Sequence, residues 1–312
     1  MSQPLFTIAT ITYNSGNWVR QAIESVLASS FTDFELIISD DCSTDQTWEI
    51  IQQYKDKRIK AWRNEVNLGE YPNRNKVLQA AQGKFIIYID GDDILYKDAL
   101  LEYAKYISAF PMAKGVWGVY PVYFDFVVFP YMFSPEQLTS LNFLSTYPVT
   151  VVGFAESVFE VDALKKIGGF SDLFAIGDTY IKRKFSCYYN VVLIPAGRAF
   201  WRQHPGQASN RVRSFYRNLI DTYKIDQELL NSVYIPLGSE NLETAKLNFR
   251  IRSVKLLVMN VIKKRRFFDF FRLMKLLQIP YSDLLLLFQK GKYHYSAGAT
   301  SDAPLVNSYN FK

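Results

Sequence analysis

The sequence predicts an α/β protein: a mostly parallel, Rossmann-like central sheet with helices on both faces, extended by a basic helical segment at its C-terminal end. Three observations carry this. Over the first 110 residues, short apolar runs rich in β-formers alternate with stretches of helical periodicity. Three of those runs end in polar clusters, where such sheets open their ligand crevice. From about residue 211 the pattern turns helical and the charge balance turns basic.

The elements follow in order. LFTIATI (5–11) is the first strand, followed by the turn residues Asn14, Ser15 and Gly16. Val19, Ile23, Val26 and Leu27 lie at helical spacing. FELIIS (34–39) is the second strand and runs into DDCSTD, where Thr44 or Asp45 caps a helix through Trp48, Ile51 and Tyr54. RIKAW (58–62) is the third strand, 71–82 the third helix, KFIIYID (84–90) the fourth strand, and 97–110 a further helix. From 115 to 200 the pattern becomes mixed short strands and loops, with Asp178 entering a helical stretch.

With 312 residues, of which 49% are hydrophobic and 21% charged, the chain has enough apolar material for a large core, and disorder is excluded. Residues 1–200 hold 18 Lys and Arg against 22 Asp and Glu, and residues 201–312 hold 18 against 8. The net +6 therefore joins an acidic-leaning body to a basic end. Two cysteines, Cys42 and Cys187, cannot make a disulfide framework and suit a reducing compartment. The opening MSQPLFTIAT lacks a basic n-region and an apolar h-region, so no signal peptide is expected. The best candidate for a membrane span, 115–133, is broken by Pro121, Asp125 and Pro130. The expectation is a cytoplasmic protein, soluble or peripheral on the inner face of the cell membrane.

Three polar clusters follow predicted strands and should converge: Thr12-Tyr13-Asn14, Asp40-Asp41 and Asp90-Gly91-Asp92-Asp93. Carboxylates gathered there repel one another, and a divalent cation, Mn²⁺ or Mg²⁺, bridging to a phosphate compensates them. In the D-x-D spacing, Gly91 lets the backbone bend while Asp90 and Asp92 face one space. A solvated acidic turn capping the next helix is the other reading. The first strand leads into TYNSGNW, not G-x-G-x-x-G, which argues against a nicotinamide oxidoreductase.

TITYN (10–14), FELIISDDCSTDQT (34–47), NLGEYPNRN (67–75), GKFIIYIDGDD (83–93) and GGF…GDTYIKRKF (168–185) resemble the inverting glycosyltransferase family 2, of GT-A fold, over roughly residues 4–205. The resemblance implies transfer of a hexosyl or N-acetylhexosaminyl group from a UDP- or dTDP-sugar to a glycan or lipid-linked acceptor in surface polysaccharide biosynthesis. Thr12 and Tyr13, with Asn14 beside them, would border the base and ribose, and Asp41 would accept from the base imide. Arg74 would reach the nucleotide or its phosphates. Asp90 would approach the ribose, Asp92 would hold the metal, and Asp178 matches the catalytic base. Asp178 also reads as a helix cap. His204 reads equally as a further metal or phosphate contact and as a loop histidine, and His294 as surface. Trp117, Tyr120 and Tyr123 suit a buried strand better than sugar stacking.

The sequence departs from the family pattern in three places. Cys42 stands where glycine is common, and Gly177 where many members have glutamate. WRQHPGQ follows Phe200 in place of the Q-x-x-R-W of processive synthases.

Residues 246–278 carry ten Lys and Arg and one acid, Asp269, with Leu256, Leu257, Met259, Phe267, Phe268, Phe270 and Phe271 around KKRR (263–266). A helix with a basic face and a Phe/Leu face suits an anionic membrane surface. Packing on the catalytic domain is the alternative, and no recognition motif supports nucleic acid. The expected organisation is a catalytic domain, 1–205, with a nucleotide-binding half (1–110) and an acceptor half (111–205), then a helical basic region (206–296) and a tail (297–312). A catalytically inactive, membrane-docked nucleotide-binding or scaffolding protein is the rival reading.

Overall fold

A computed structural model of the chain describes residues 3–119, 129–145, 153–205, 207, 216–263, 265 and 267–292. Tyr120, Tyr123, Pro121, Asp125, His294 and the tail 297–312 lie outside them. The strands are β1 (Phe6–Thr12), β2 (Phe34–Asp40), β3 (Ile59–Arg63), β4 (Phe85–Tyr88), β5 (Ile94–Leu95), β6 (Gly115–Val119), β7 (Tyr131–Phe133), β8 (Ser157–Glu160), β9 (Val191–Pro195) and β10 (Ala199–Phe200). Most form one sheet in the order β3-β2-β1-β4-β8-β6-β9-β7, while β5 and β10 pair separately. The block β3-β2-β1-β4 is parallel, β8 runs antiparallel between β4 and β6, and β6 and β9 are again parallel.

The continuous apolar runs are explained by burial on both faces. Side chains alternate across the sheet. Phe6, Ile8, Leu36, Ile38, Phe85 and Ile87 face one core, shared with α1 (Val19–Leu27), α2 (Thr47–Ile51) and α4 (Ala99–Ala109). Ala9, Ile11, Ile37, Ile86 and Tyr88 face the other, shared with α3 (Glu70–Ala80), α5 (Pro135–Leu144), α6 (Val161–Lys166) and α7 (Gly177–Ser186). Trp117 is fully buried against Phe159 and Phe185, so it is core. Helix α2 is short and ends before Tyr54; Asp45 supports its start by accepting from the Thr47 N–H at 3.0 Å. Thr44 bonds to Asn14 instead.

Helices α8 (Arg217–Leu230) and α9 (Ser239–Lys263) lie on α5 and α7, joining Ile225, Leu229, Ala245 and Phe249 to Phe143, Leu144, Phe174 and Tyr180. The stretch 246–278 is not one helix. Helix α9 ends at Lys263, Arg265 takes a left-handed φ of 54°, and α10 (Phe268–Leu276) starts afresh. Leu257 is buried with Leu273 and Met274 of α10 in a small outer core. The face of α9 that bears Ala245 and Phe249 packs on the catalytic domain, as the packing alternative has it, whereas Leu257 packs on α10. Among the described residues no helix is long and apolar enough to cross a membrane.

Candidate active site

The parallel register of β1 on β2 pairs Thr12 with Asp40, so the two strands end flush. The Asp41 N–H donates to the Thr12 carbonyl at 2.8 Å, and the Gly91 N–H to that of Ile11 at 3.0 Å. The three polar clusters thus lie side by side at one edge of the sheet. Gly91 serves close approach here: a Cβ on it would stand 2.5 Å from Thr12 Oγ1, and its φ is not in the left-handed region.

Asn14 takes a left-handed φ of 54°, and its side chain accepts from the Thr44 N–H at 2.8 Å. It shapes the rim on which Tyr13 is exposed. Asp40 is buried beneath and bonds the Ser43 N–H and hydroxyl, and burial pushes its pKa up. Cys42 has a φ of 64°, a conformation that glycine adopts without strain, which accounts for the glycine common in the family. Asp41 accepts from Asn64 Nδ2, Leu68 N–H and Gly69 N–H, each at 2.9 Å. It therefore anchors the loop leading into α3 while Oδ2, with one of these bonds, keeps acceptor capacity.

Arg74 does not extend into an open crevice. It is buried on α3, bonded to Asp90 at 2.7 Å and Glu70 at 3.0 Å, and its guanidinium lies 5.2 Å from the ring centres of Tyr88 and Phe154. Burial opposes its charge, but Asp90 and Glu70 outweigh that and raise its pKa. Arg74 Nη1 and Asp90 Oδ1 are shut off from water with no hydrogen-bond partner, so the pair keeps a donor and an acceptor in reserve. Burial, against the pull of Arg74, pushes the Asp90 carboxyl up to about 6.

Asp92 and His204, 112 residues apart, meet at 2.9 Å between Oδ2 and Nε2. The pairing of β5 with β10 brings the histidine's segment over the acidic turn. Arg202 Nε donates to the Asp92 carbonyl at 2.9 Å, its N–H to Asp93 at 3.1 Å, and its guanidinium covers Trp18 at 4.4 Å. Burial, with Asp90 and Asp92 nearby, pushes the Asp93 carboxyl up to about 8. Among the described residues no third His, Cys, Asp or Glu completes a metal cage. A carboxylate and an imidazole still fit Mn²⁺ or Mg²⁺, whose remaining positions substrate phosphates and water commonly fill.

Asp178 is not the residue that caps α7. It lies within the first turn, after Gly177, with Oδ1 accepting from the Thr179 N–H at 2.7 Å. The helix N-terminus favours its negative charge. Tyr71 of α3 fixes this turn, since its hydroxyl accepts from the Gly177 N–H at 2.8 Å and donates to the Ala175 carbonyl at 3.1 Å. A Cβ on Gly177 would fall 2.8 Å from Tyr71 Cζ, which explains the missing glutamate. One turn beyond Asp178, Lys182 is buried and donates to the Gly153 carbonyl at 3.2 Å. Burial pulls its pKa down to about 8, against the opposing influence of Asp178 and Glu156.

The structure thus gathers Thr12, Tyr13, Asn14, Asp41, Asp90, Asp92 and His204 at the strand ends, and the start of α3 touches both Asp90, through Arg74, and the turn that bears Asp178, through Tyr71. Sequence reasoning missed Tyr71, Lys182 and Arg202. Tyr71 lay within the NLGEYPNRN block but had no signal of its own, because its partner is 106 residues away.

A sequence model of glycosyl transferase family 2 matches residues 7–168. TuaG of Bacillus subtilis, named for teichuronic acid biosynthesis, is 42% identical over 100 residues, which are 31% of this chain and 40% of that protein. The poly(ribitol-phosphate) β-N-acetylglucosaminyltransferase TarS of Staphylococcus aureus is 36% identical over 107 residues, 33% of this chain and 19% of that protein. The chain thus matches well under half the length of these relatives. Structurally, TarS 1–349 in complex with UDP-GlcNAc superposes with a TM-score of 0.60 at 21% identity, covering 79% of this chain and 72% of that one. The mannosyltransferase PcManGT of Pyrobaculum calidifontis, in complex with GDP-Man and Mn²⁺, gives 0.61 at 15% identity, covering 84% and 74%. With a family match over more than half its length and a GT-A fold, the chain belongs to glycosyl transferase family 2.

Proposed function

We propose that the protein is a metal-dependent inverting glycosyltransferase of surface-glycan biosynthesis, moving a sugar from a UDP- or dTDP-sugar to a hydroxyl of a glycan or lipid-linked acceptor. The observation that carries this is the meeting of Asp92 and His204 at 2.9 Å beside the Arg74–Asp90 pair. TuaG and TarS, named for surface polymers, support the setting, and the donors bound to TarS and PcManGT support the substrate class.

Thr12, Tyr13, Asn14 and Asp41 hold the nucleoside, with Asp41 Oδ2 accepting the base imide proton. Asp90 orients the ribose, held in place by Arg74. Asp92 and His204 would hold Mn²⁺ or Mg²⁺, which would supply positive charge to offset that of the leaving diphosphate. The acceptor oxygen attacks C1 of the sugar as the bond from C1 to the phosphate oxygen breaks, and Asp178 takes the hydroxyl proton. Attack opposite the leaving group inverts C1. Residues 1–205 form the catalytic unit, and the region 206–296 keeps it at the inner face of the membrane, near lipid-linked acceptors.

A panel of UDP-, dTDP- and GDP-sugars, titrated calorimetrically with and without Mn²⁺ and followed for slow donor hydrolysis, tests the reading. One donor should bind with Mn²⁺ dependence, and Asp92→Ala should abolish that dependence. If no donor in the panel binds, the chain is instead a scaffold.

A further inference from the structure

Helix α10 and the 3-10 segment Tyr281–Phe288 invert the usual distribution of side chains. Phe267 is 60% exposed, Phe268 96%, Phe271 60%, Leu285 72% and Phe288 90%. Ten of the 21 large hydrophobic side chains exposed among the described residues fall between Leu256 and Phe288, so the exposure is concentrated here. The two elements form one surface, because the Phe271 ring lies 6.4 Å from that of Tyr281. Along α10 the exposed Phe267, Phe268 and Phe271 share their side with Arg272 and Lys275, while Leu273 and Met274 face the protein.

The charge around them has one sign. Among the described residues from 255 to 292, every exposed charged side chain is a cation: Lys263, Arg265, Arg272, Lys275, Lys290 and Lys292. Asp283 is buried against Arg250, and Asp269 is half-buried. Exposed aromatic side chains interleaved with cations fit neither an ordinary solvated surface nor a dry protein core. They match the interfacial zone of an anionic bilayer, where rings enter the acyl boundary and cations meet lipid phosphates.

We infer that α10 and the Tyr281–Phe288 segment form an in-plane docking surface for an anionic lipid bilayer, with Phe267, Phe268 and Phe271 inserting and the surrounding lysines and arginines holding the phosphates. This rests on the peripheral-membrane part of the function proposed above and not on the transfer chemistry.

The test is flotation of the full chain with phosphatidylglycerol-containing vesicles and with pure phosphatidylcholine vesicles, across a salt series. The protein should float with the anionic vesicles, less so as salt rises, and only weakly with the neutral ones. The exposed triple variant Phe267→Ser, Phe268→Ser, Phe271→Ser should lose at least about tenfold in partition, and Arg272→Glu with Lys275→Glu should lose the salt-sensitive part. Both variants should keep wild-type circular dichroism and donor hydrolysis in solution, which separates a failure of docking from a failure of the glycosyltransferase reading. Absence of binding to anionic vesicles at low salt would overturn the inference. So would a self-association that the triple variant abolishes, since a second copy would then be the occupant.

Discussion

The strand-end site and the outer C-terminal helices place charge and apolar surface in opposite ways. At the site, charged groups go inside: Arg74 is buried between Asp90 and Glu70, Asp41 holds three donors, and Lys182 is buried one turn beyond Asp178 on the same helix. On α10 and beyond, Phe267, Phe268, Phe271, Leu285 and Phe288 face outward and cations surround them. Buried charge is costly unless paired, and exposed aromatic surface is unfavourable unless covered. The first region points to a substrate with charges of its own, and the second to a partner with an apolar interior.

The largest effect is expected at Asp178. Asp178→Asn should lower turnover by about 10²–10⁴-fold while donor affinity stays level, as single-turnover kinetics beside calorimetry will read. Near wild-type turnover in a folded variant would remove the base assignment. Next, Arg74→Met should cost about 1–3 kcal/mol in urea unfolding, because it leaves the part-buried Asp90 carboxyl without its partner. Adding Asp90→Asn should recover most of that loss, and a failure to do so would mean that the pair is not what the burial serves.

Lys182 sharpens the contrast through pH. In the unfolded chain it keeps its proton to the ordinary 10.5, whereas in the fold it loses it at about 8. The unfolded state therefore binds more protons between these values, and stability should rise with pH across that window. Lys182→Met should be more stable near neutral pH by about 1–3 kcal/mol, and the difference from wild type should shrink from pH 8 upward. A thermal-melt series for both proteins measures it. Smallest of all, Phe268→Ser should leave stability within about 0.5 kcal/mol, whereas Phe159→Ala in the core should cost about 3–5 kcal/mol.

Much of the fold was legible because it is local. Apolar runs such as FELIIS and KFIIYID fix parallel strands, and the helix spacing between them fixes the layers. The meeting of Asp92 with His204 was legible only through resemblance, since nothing local joins residues 112 apart. The break after Lys263 was hidden because KKRR favours helix, and only the burial of Leu273 and Met274 against Leu257 shows why the chain turns there. Asp41 was expected to face a base, yet it also holds Leu68 and Gly69, a double duty that composition does not reveal.

The contact between Tyr71 and Gly177 constrains how this sequence can change. A glutamate at 177, which many members of the family carry, would press its first side-chain carbon into the phenol ring unless the tyrosine gives way. Position 71 must shrink first, and that step gives up the hydroxyl that fixes the turn before Asp178. The two positions are therefore coupled through one contact. A Gly177→Glu substitution should therefore fit only with a smaller residue at 71, which loosens the turn before Asp178.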